Sequence, residues 1–277
     1  MIKRILLTAL LIVGFASQEL NAQADTARVG IFVYSLYNFD LDDKSYGAVL
    51  YLWVNHNIDS ISFENSLEIV NAKDTEYSLY MDEEAEGIRW VSMKCRAQII
   101  TDWDISDFPF DKQTLTIHIE ESNKDISDLI YIADIANSKI HEDLKLKDWK
   151  IIDFKVKEGV SVYKTSYGDP GLSEQSAYAK IIGEIYIERI NVWTIFFKIF
   201  TGVFVGFLIA LFVFFIKPIN VDPRFGLCVG GLFAAVGNKY VVEGMVSSAS
   251  NNTLIDSLHN LTFVSILVII FISIISL

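Results

Sequence analysis

The chain has 277 residues, a formal charge of −12 and a sequence half made of apolar side chains, at 52%. Residues 25–190 hold seventeen Lys and Arg against thirty-one Asp and Glu, a charge of −14 that exceeds the whole-chain value. Such a surface excludes nucleic acid as a partner, because that binding rests on basic contacts to phosphate. It gathers cations at the domain surface or simply keeps the domain soluble.

The amino terminus reads as a secretory signal over residues 1–24. Lys3 and Arg4 precede an apolar core from Ile5 to Phe15, and Ala22-Gln23-Ala24 supplies small residues for cleavage. The alternative is an uncleaved anchor, for which the apolar run is short.

Residues 25–190 read as short strands between polar turns. Val29 to Tyr37, Gly47 to Val54, Arg89 to Ile100, Thr114 to Ile119, Trp149 to Val156 and Tyr178 to Ile187 are rich in β-formers. No helical stripe of useful length precedes residue 190. The pattern predicts an all-β domain, an antiparallel sandwich of immunoglobulin-like type. Inside it, Asp82, Glu83, Glu84 and Glu86 form an acidic run. That run reads as a solvated turn or, through carboxylate oxygens, as a Ca²⁺ site.

Phe108-Pro109-Phe110-Asp111-Lys112-Gln113 interrupts the strands. Pro109 fixes φ and removes a donor, so a turn is expected there. A clean strand follows, with Leu115, Ile117 and Ile119 alternating with Thr116, His118 and Glu120. The result is a rigid apolar knuckle carrying one carboxylate. Further on, Tyr163, Tyr167 and Tyr178 flank the turn Gly168-Asp169-Pro170-Gly171.

Three apolar spans close the sequence, at about 193–216, 225–246 and 258–277 within a membrane domain of residues 191–277. The connector between the first two carries Lys217 and Arg224, which places it in the cytoplasm and the β-domain outside. On the second span, a helical projection puts Gly226, Gly230, Phe233, Gly237, Tyr240 and Gly244 on one face. Lys239 and Glu243 lie opposite, one turn apart, where they are able to pair. The glycines also fit a second use, as small residues that let helices pack closely.

Neither cysteine suggests chemistry. Cys95 lies in a predicted strand and Cys228 in a span, so no disulfide between them is expected. No metal-ligand spacing, glycine-rich phosphate loop or nucleophile motif stands out, and His56, His118, His141 and His259 are scattered. No cofactor, metal centre or enzymatic activity is expected.

Aromatic-Pro-aromatic-Asp-x-Gln upstream of apolar spans resembles the signature loop of the pentameric ligand-gated ion channels, the Cys-loop receptor superfamily. The resemblance covers roughly residues 29–277 and is strongest between Gly87 and Glu120. It includes Trp53-Val54-Asn55, similar to the family's Trp-x-Asp, and Pro223-Arg224-Phe225-Gly226-Leu227, similar to the pore-helix entrance of some members. Thr101 and Leu115 stand where animal receptors place the loop cystine, which fits the bacterial branch.

The resemblance implies a homo-pentamer in the cell (inner) membrane, with its amino-terminal domain periplasmic or extracellular and a small-molecule or ion ligand. Phe108, Pro109, Phe110, Asp111 and Gln113 would couple that domain to the spans, with Arg189 pairing Asp111. Arg224, Gly226, Gly230, Phe233, Gly237, Tyr240 and Gly244 would line the pore, and Trp149, Tyr163, Tyr167 and Tyr178 the ligand site. The chain departs from the pattern in four places. Ser60 to Glu86 lacks the usual Trp-x-Pro segment, the first span lacks a proline, the second carries Lys239 and Glu243, and a fourth span is either absent or lies beyond the end of this sequence. These departures point to a second possibility, a membrane-anchored sensor or assembly module on the same fold that does not conduct.

Overall fold

The computed structural model describes residues 24–58, 61–168, 175–244 and 253–276. The expected signal segment falls outside them, except for Ala24.

Among the described residues, ten strands fill the first part. They are β1 (Asp25–Asp40), β2 (Ser45–His56), β3 (Leu67–Ile69), β4 (Ala72–Ala85), β5 (Ile88–Ile100), β6 (Lys112–Glu121), β7 (Leu129–Ala133), β8 (Lys139–Ile140), β9 (Trp149–Tyr163) and β10 (Ser176–Arg189). A single helical turn, α1 (Phe63–Ser66), precedes β3. One sheet runs β4-β5-β2-β1-β7 with β8 also on β1; the other runs β3-β6-β10-β9.

Alternation explains the layering. Ala48, Leu50, Leu52 and Val54 of β2 are fully buried, as are Leu115, Ile117 and Ile119 of β6, and both sets belong to one hydrophobic cluster. Each sheet therefore turns one face to the other and the opposite face outward. Gly30 sits opposite Trp53 in the β1–β2 ladder. A Cβ there would fall 2.2 Å from the Trp53 ring, so only glycine fits. The ring is held by its Nε1, which donates to Asp134 Oδ2 at 3.0 Å.

Two expectations need correction. The sheets are not wholly antiparallel, because β7 and β8 both run parallel to β1. β1 is sixteen residues long and its second edge is taken up by these two short segments. Most of the acidic run is strand and not turn: Asp82, Glu83 and Glu84 lie in β4, an edge strand paired with β5, while Glu86 sits in the turn between them. Asp82 accepts two bonds from Arg89, both at 2.6 Å, and among the described residues no group of three or more acidic, His or Cys side chains is placed to hold a metal.

Three helices follow among the described residues, each long and apolar enough to cross a membrane: Val192–Phe215, Val221–Glu243 and Leu254–Ile275. We call them α2 (Val192–Leu211, extended by a 3₁₀ turn over Phe212–Phe215), α3 (Val221–Glu243) and α4 (Leu254–Ile275). α3 begins four residues before the expected span, with Pro223 in its first turn, where its missing N–H costs nothing.

Backbone contact between helices comes from glycines outside the predicted face. A Cβ on Gly231 would lie 2.5 Å from Gly206 O, and one on Gly206 2.8 Å from Gly231 O, so α2 and α3 touch there. Polar ties join α3 to α4. The buried His259 ring places Nε2 3.0 Å from Asn238 Oδ1, while its Nδ1 donates to Ile255 O at 2.8 Å. Lys239 Nζ sits 3.5 Å from Glu243 and 3.7 Å from Asp256.

Candidate functional site at the domain–helix junction and the tyrosine cavity

The Phe108–Pro109 peptide bond is cis, and the knuckle it shapes leans on the helices. Phe110 meets Trp193 and Phe196 of α2, with ring centroids 5.4 and 5.8 Å apart. Phe108 and Ile105 enter the helices' hydrophobic cluster. From below, Leu254 N of α4 donates to Ser106 O at 2.8 Å. Thr253 caps that helix reciprocally with Asp256, its hydroxyl accepting from Asp256 N at 3.2 Å.

At the centre of the junction, Arg189 Nε donates to Asp111 Oδ1 at 2.6 Å, with the two side chains 11% and 1% exposed. Strand order makes this meeting possible. β10 pairs with β6, so the residue ending β10 comes down beside the residue preceding β6. Gln113 supports the carboxylate, its Nε2 donating to Asp111 Oδ2 at 2.9 Å and to Asp104 O at 2.7 Å. The guanidinium also lies over two rings, 4.7 Å from the Phe108 centroid and 4.2 Å from that of Trp149. An arginine so paired and stacked has little freedom to leave.

Trp149 therefore belongs here and not with the tyrosines, a correction to its expected ligand role. It begins β9, whereas Tyr163 ends that fifteen-residue strand. Trp103, which had no expected role, stacks on Trp149 at 6.3 Å.

At the far end of the domain, Tyr163, Tyr167 and Tyr178 do converge. Tyr163 lies 6.0 Å from Tyr167 and 5.9 Å from Tyr178, on the wall of a cavity of about 390 Å³. The turn residues 169–171 fall outside the described residues. Three carboxylates share the wall, those of Glu68, Glu120 and Glu121. Among the described residues none of the three has an ion-pair partner. Tyr163 donates to Glu120 Oε2 at 2.8 Å and Ser161 to Glu120 Oε1. Burial, then the bond to Glu120, pushes the Tyr163 hydroxyl up to about 12, so it stays protonated. Burial likewise raises the Glu121 carboxyl, against bonds from Ser66 Oγ at 2.5 Å and Asn123 N at 3.0 Å. An electron-rich, acidic cavity of this size suits a small cation.

The second-helix prediction divides. Gly226, Gly230, Phe233, Gly237, Tyr240 and Gly244 are all exposed, and a Cβ on Gly226, Gly230 or Gly237 would meet nothing within 4 Å. Arg224 is not on that face, a second correction. It lies about 200° from Gly226 around the helix and is 4% exposed, with Nη2 donating to Ser276 Oγ at 2.9 Å.

No protein-family model matches the chain, and no curated protein sequence matches it.

Proposed function

We propose that the chain is one subunit of a pentameric ligand-gated ion channel of the inner membrane, with its β-domain exported and its Lys217 connector cytoplasmic. The observation that carries this reading is the enclosed Asp111–Arg189 pair. It occupies the two positions the resemblance requires, where the knuckle, the last strand and the first span meet. On this reading the two sheets form an immunoglobulin-like sandwich that binds and does not catalyse.

The mechanism follows from β10. Tyr178 and Arg189 are eleven residues apart on one strand, about 36 Å at strand rise. A small organic cation held by Tyr163, Tyr178 and Glu120 acts at one end of that strand and the junction responds at the other. The ligand opens the channel only by its greater affinity for the open arrangement. Five copies set the exposed face of α3 around a pore, where Phe233 forms a constriction that closes by dewetting.

Native mass spectrometry of the detergent-solubilised protein tests the assembly, and bilayer recordings with a panel of primary amines test the gating. Five subunits and amine-evoked current are expected. A monomer or dimer across mild detergents overturns the reading.

One observation favours the second reading, a membrane-anchored sensor that does not conduct. Beyond Asp222 in its first turn, the exposed face of α3 carries no charged side chain and presents Phe233 and Tyr240, 71% and 73% exposed. A pentamer in which Phe233→Ser produces no leak current would select it.

A further inference from the structure

The acidic β-domain gathers lysines beside apolar side chains at its membrane-facing end. The loop between β8 and β9 closes on the start of the first span, where Ile190 N donates to Asp148 O at 3.1 Å and α2 begins two residues later. A cavity of about 550 Å³ opens at this point, walled by Leu144, Leu146 and Ile190 and edged by Lys145, Lys150 and one acid, Glu142. Both lysines are exposed, and among the described residues neither makes an ion pair. Lys155 and Lys157, further along β9, are by contrast paired with Asp153 and Glu184.

Depth identifies the occupant. Trp193 on the first turn of α2 is 62% exposed, which suits the headgroup belt of a bilayer. The cavity beside it combines aliphatic walls with two unpaired ammonium groups. A soluble anion gains nothing from the walls, and a neutral lipid nothing from the lysines. We propose that this cavity seats the phosphate headgroup and upper acyl chain of an anionic phospholipid from the leaflet on the β-domain side. The inference rests on α2 crossing the bilayer and not on the number of subunits. Because Trp149 also lines the cavity and lies under Arg189, lipid occupancy bears on the junction.

The test uses the full chain in nanodiscs containing phosphatidylcholine with or without phosphatidylglycerol of the same acyl chains. Lipid retained after release into mild detergent is read by native mass spectrometry. The wild type is expected to retain phosphatidylglycerol about tenfold over phosphatidylcholine, on the attraction of two basic residues for an anionic headgroup. Lys145→Gln with Lys150→Gln abolishes the preference, while Lys155→Gln with Lys157→Gln keeps it. Equal retention of the two lipids by the wild type overturns the proposal. So does a preference that survives the Lys145/Lys150 exchange, which would place the anionic lipid elsewhere. Displacement of phosphatidylglycerol by millimolar inorganic phosphate would mark a soluble-anion site and overturn it as well. The exchanged lysines are exposed, and an unchanged gel-filtration profile confirms that each variant folds.

Discussion

Arg189 ends β10 and Asp111 precedes β6, seventy-eight residues apart in sequence, yet they share a 2.6 Å charged hydrogen bond largely screened from water. Two buried charges cost more to desolvate than a surface pair, and their mutual attraction with the Gln113 bond offsets that cost. Removing one partner strands the other. Asp111→Ala or Arg189→Ala should each destabilise the protein by about 3–5 kcal/mol, with the double variant well short of the sum. Thermal melts of the four proteins in one detergent close the cycle; additive losses would deny the coupling. Arg189→Lys should also fail, since an ammonium cannot lie flat between Phe108 and Trp149.

A second prediction separates the two kinds of glycine on α3. Gly231 faces Gly206 with no room for a methyl group, while Gly230, one residue earlier, faces open space. Gly231→Ala should therefore destabilise the helices by about 1–3 kcal/mol, as overpacking does. Gly230→Ala should leave the melting temperature of the isolated subunit unchanged or raise it, by improving helix propensity. Equal melting temperatures would mean that α2 and α3 do not touch where the backbones meet.

How far the sequence foretold these positions depends on what each residue reports. The Asp111–Arg189 pairing was legible through the resemblance, because both residues sit beside unmistakable strand and span boundaries. Close helix contact was assigned to Gly226 and Gly230 as an alternative, since spacing identifies small residues but not the helix they face; Gly206 on α2 supplies that. Trp149 was misplaced because the strand it begins reads as ending at Val156, whereas it runs on to Tyr163 and carries that tyrosine a full strand length away. Glu121 was missed although a signal existed. It continues the inward phase of Leu115, Ile117 and Ile119, so an acid had to point into the domain.

That buried acid carries a pH signature. The Glu121 carboxyl is raised above its ordinary value of 4.5 by burial. Its folded form binds a proton more readily than its unfolded form, so stability falls as pH rises through the window above 4.5. Glu121→Gln should remove that slope and raise stability at neutral pH, while still accepting from Ser66 Oγ. Melting temperatures across pH 4.5 to 7.5 decide the matter; identical slopes in both proteins would assign the dependence elsewhere.

The amino end of α4 is held by few groups. The Thr253 hydroxyl accepts from Asp256 N, and the next residue, Leu254, donates to Ser106 in the β-domain. Thr253→Ala should cost about 1 kcal/mol through the lost cap. Hydrogen exchange should quicken in the first turn of α4 and at the Ser106 loop together. Quickening of the helix alone would show that the two elements are not mechanically joined.

The tyrosine cavity makes the sharpest demand on ligand chemistry. Glu120 is held by Tyr163 and Ser161, so its charge is fixed in place beneath the rings. An ammonium placed there gains both a carboxylate and the faces of Tyr163 and Tyr178. Tyr178→Ala should weaken binding of a small primary amine by roughly 2- to 30-fold, the range of about 0.5–2 kcal/mol for a cation over a ring. Tyr163→Phe should act differently. It keeps the ring but frees Glu120 Oε2 of its donor, and a carboxylate with a free lone pair holds an ammonium at least as well. Retained or tighter binding in Tyr163→Phe beside weaker binding in Glu120→Gln, both by calorimetry on the solubilised full chain, would assign the charge recognition to Glu120. Loss in Tyr163→Phe with no change in Glu120→Gln would assign it to the hydroxyl, and the ligand would then be an acceptor and not a cation.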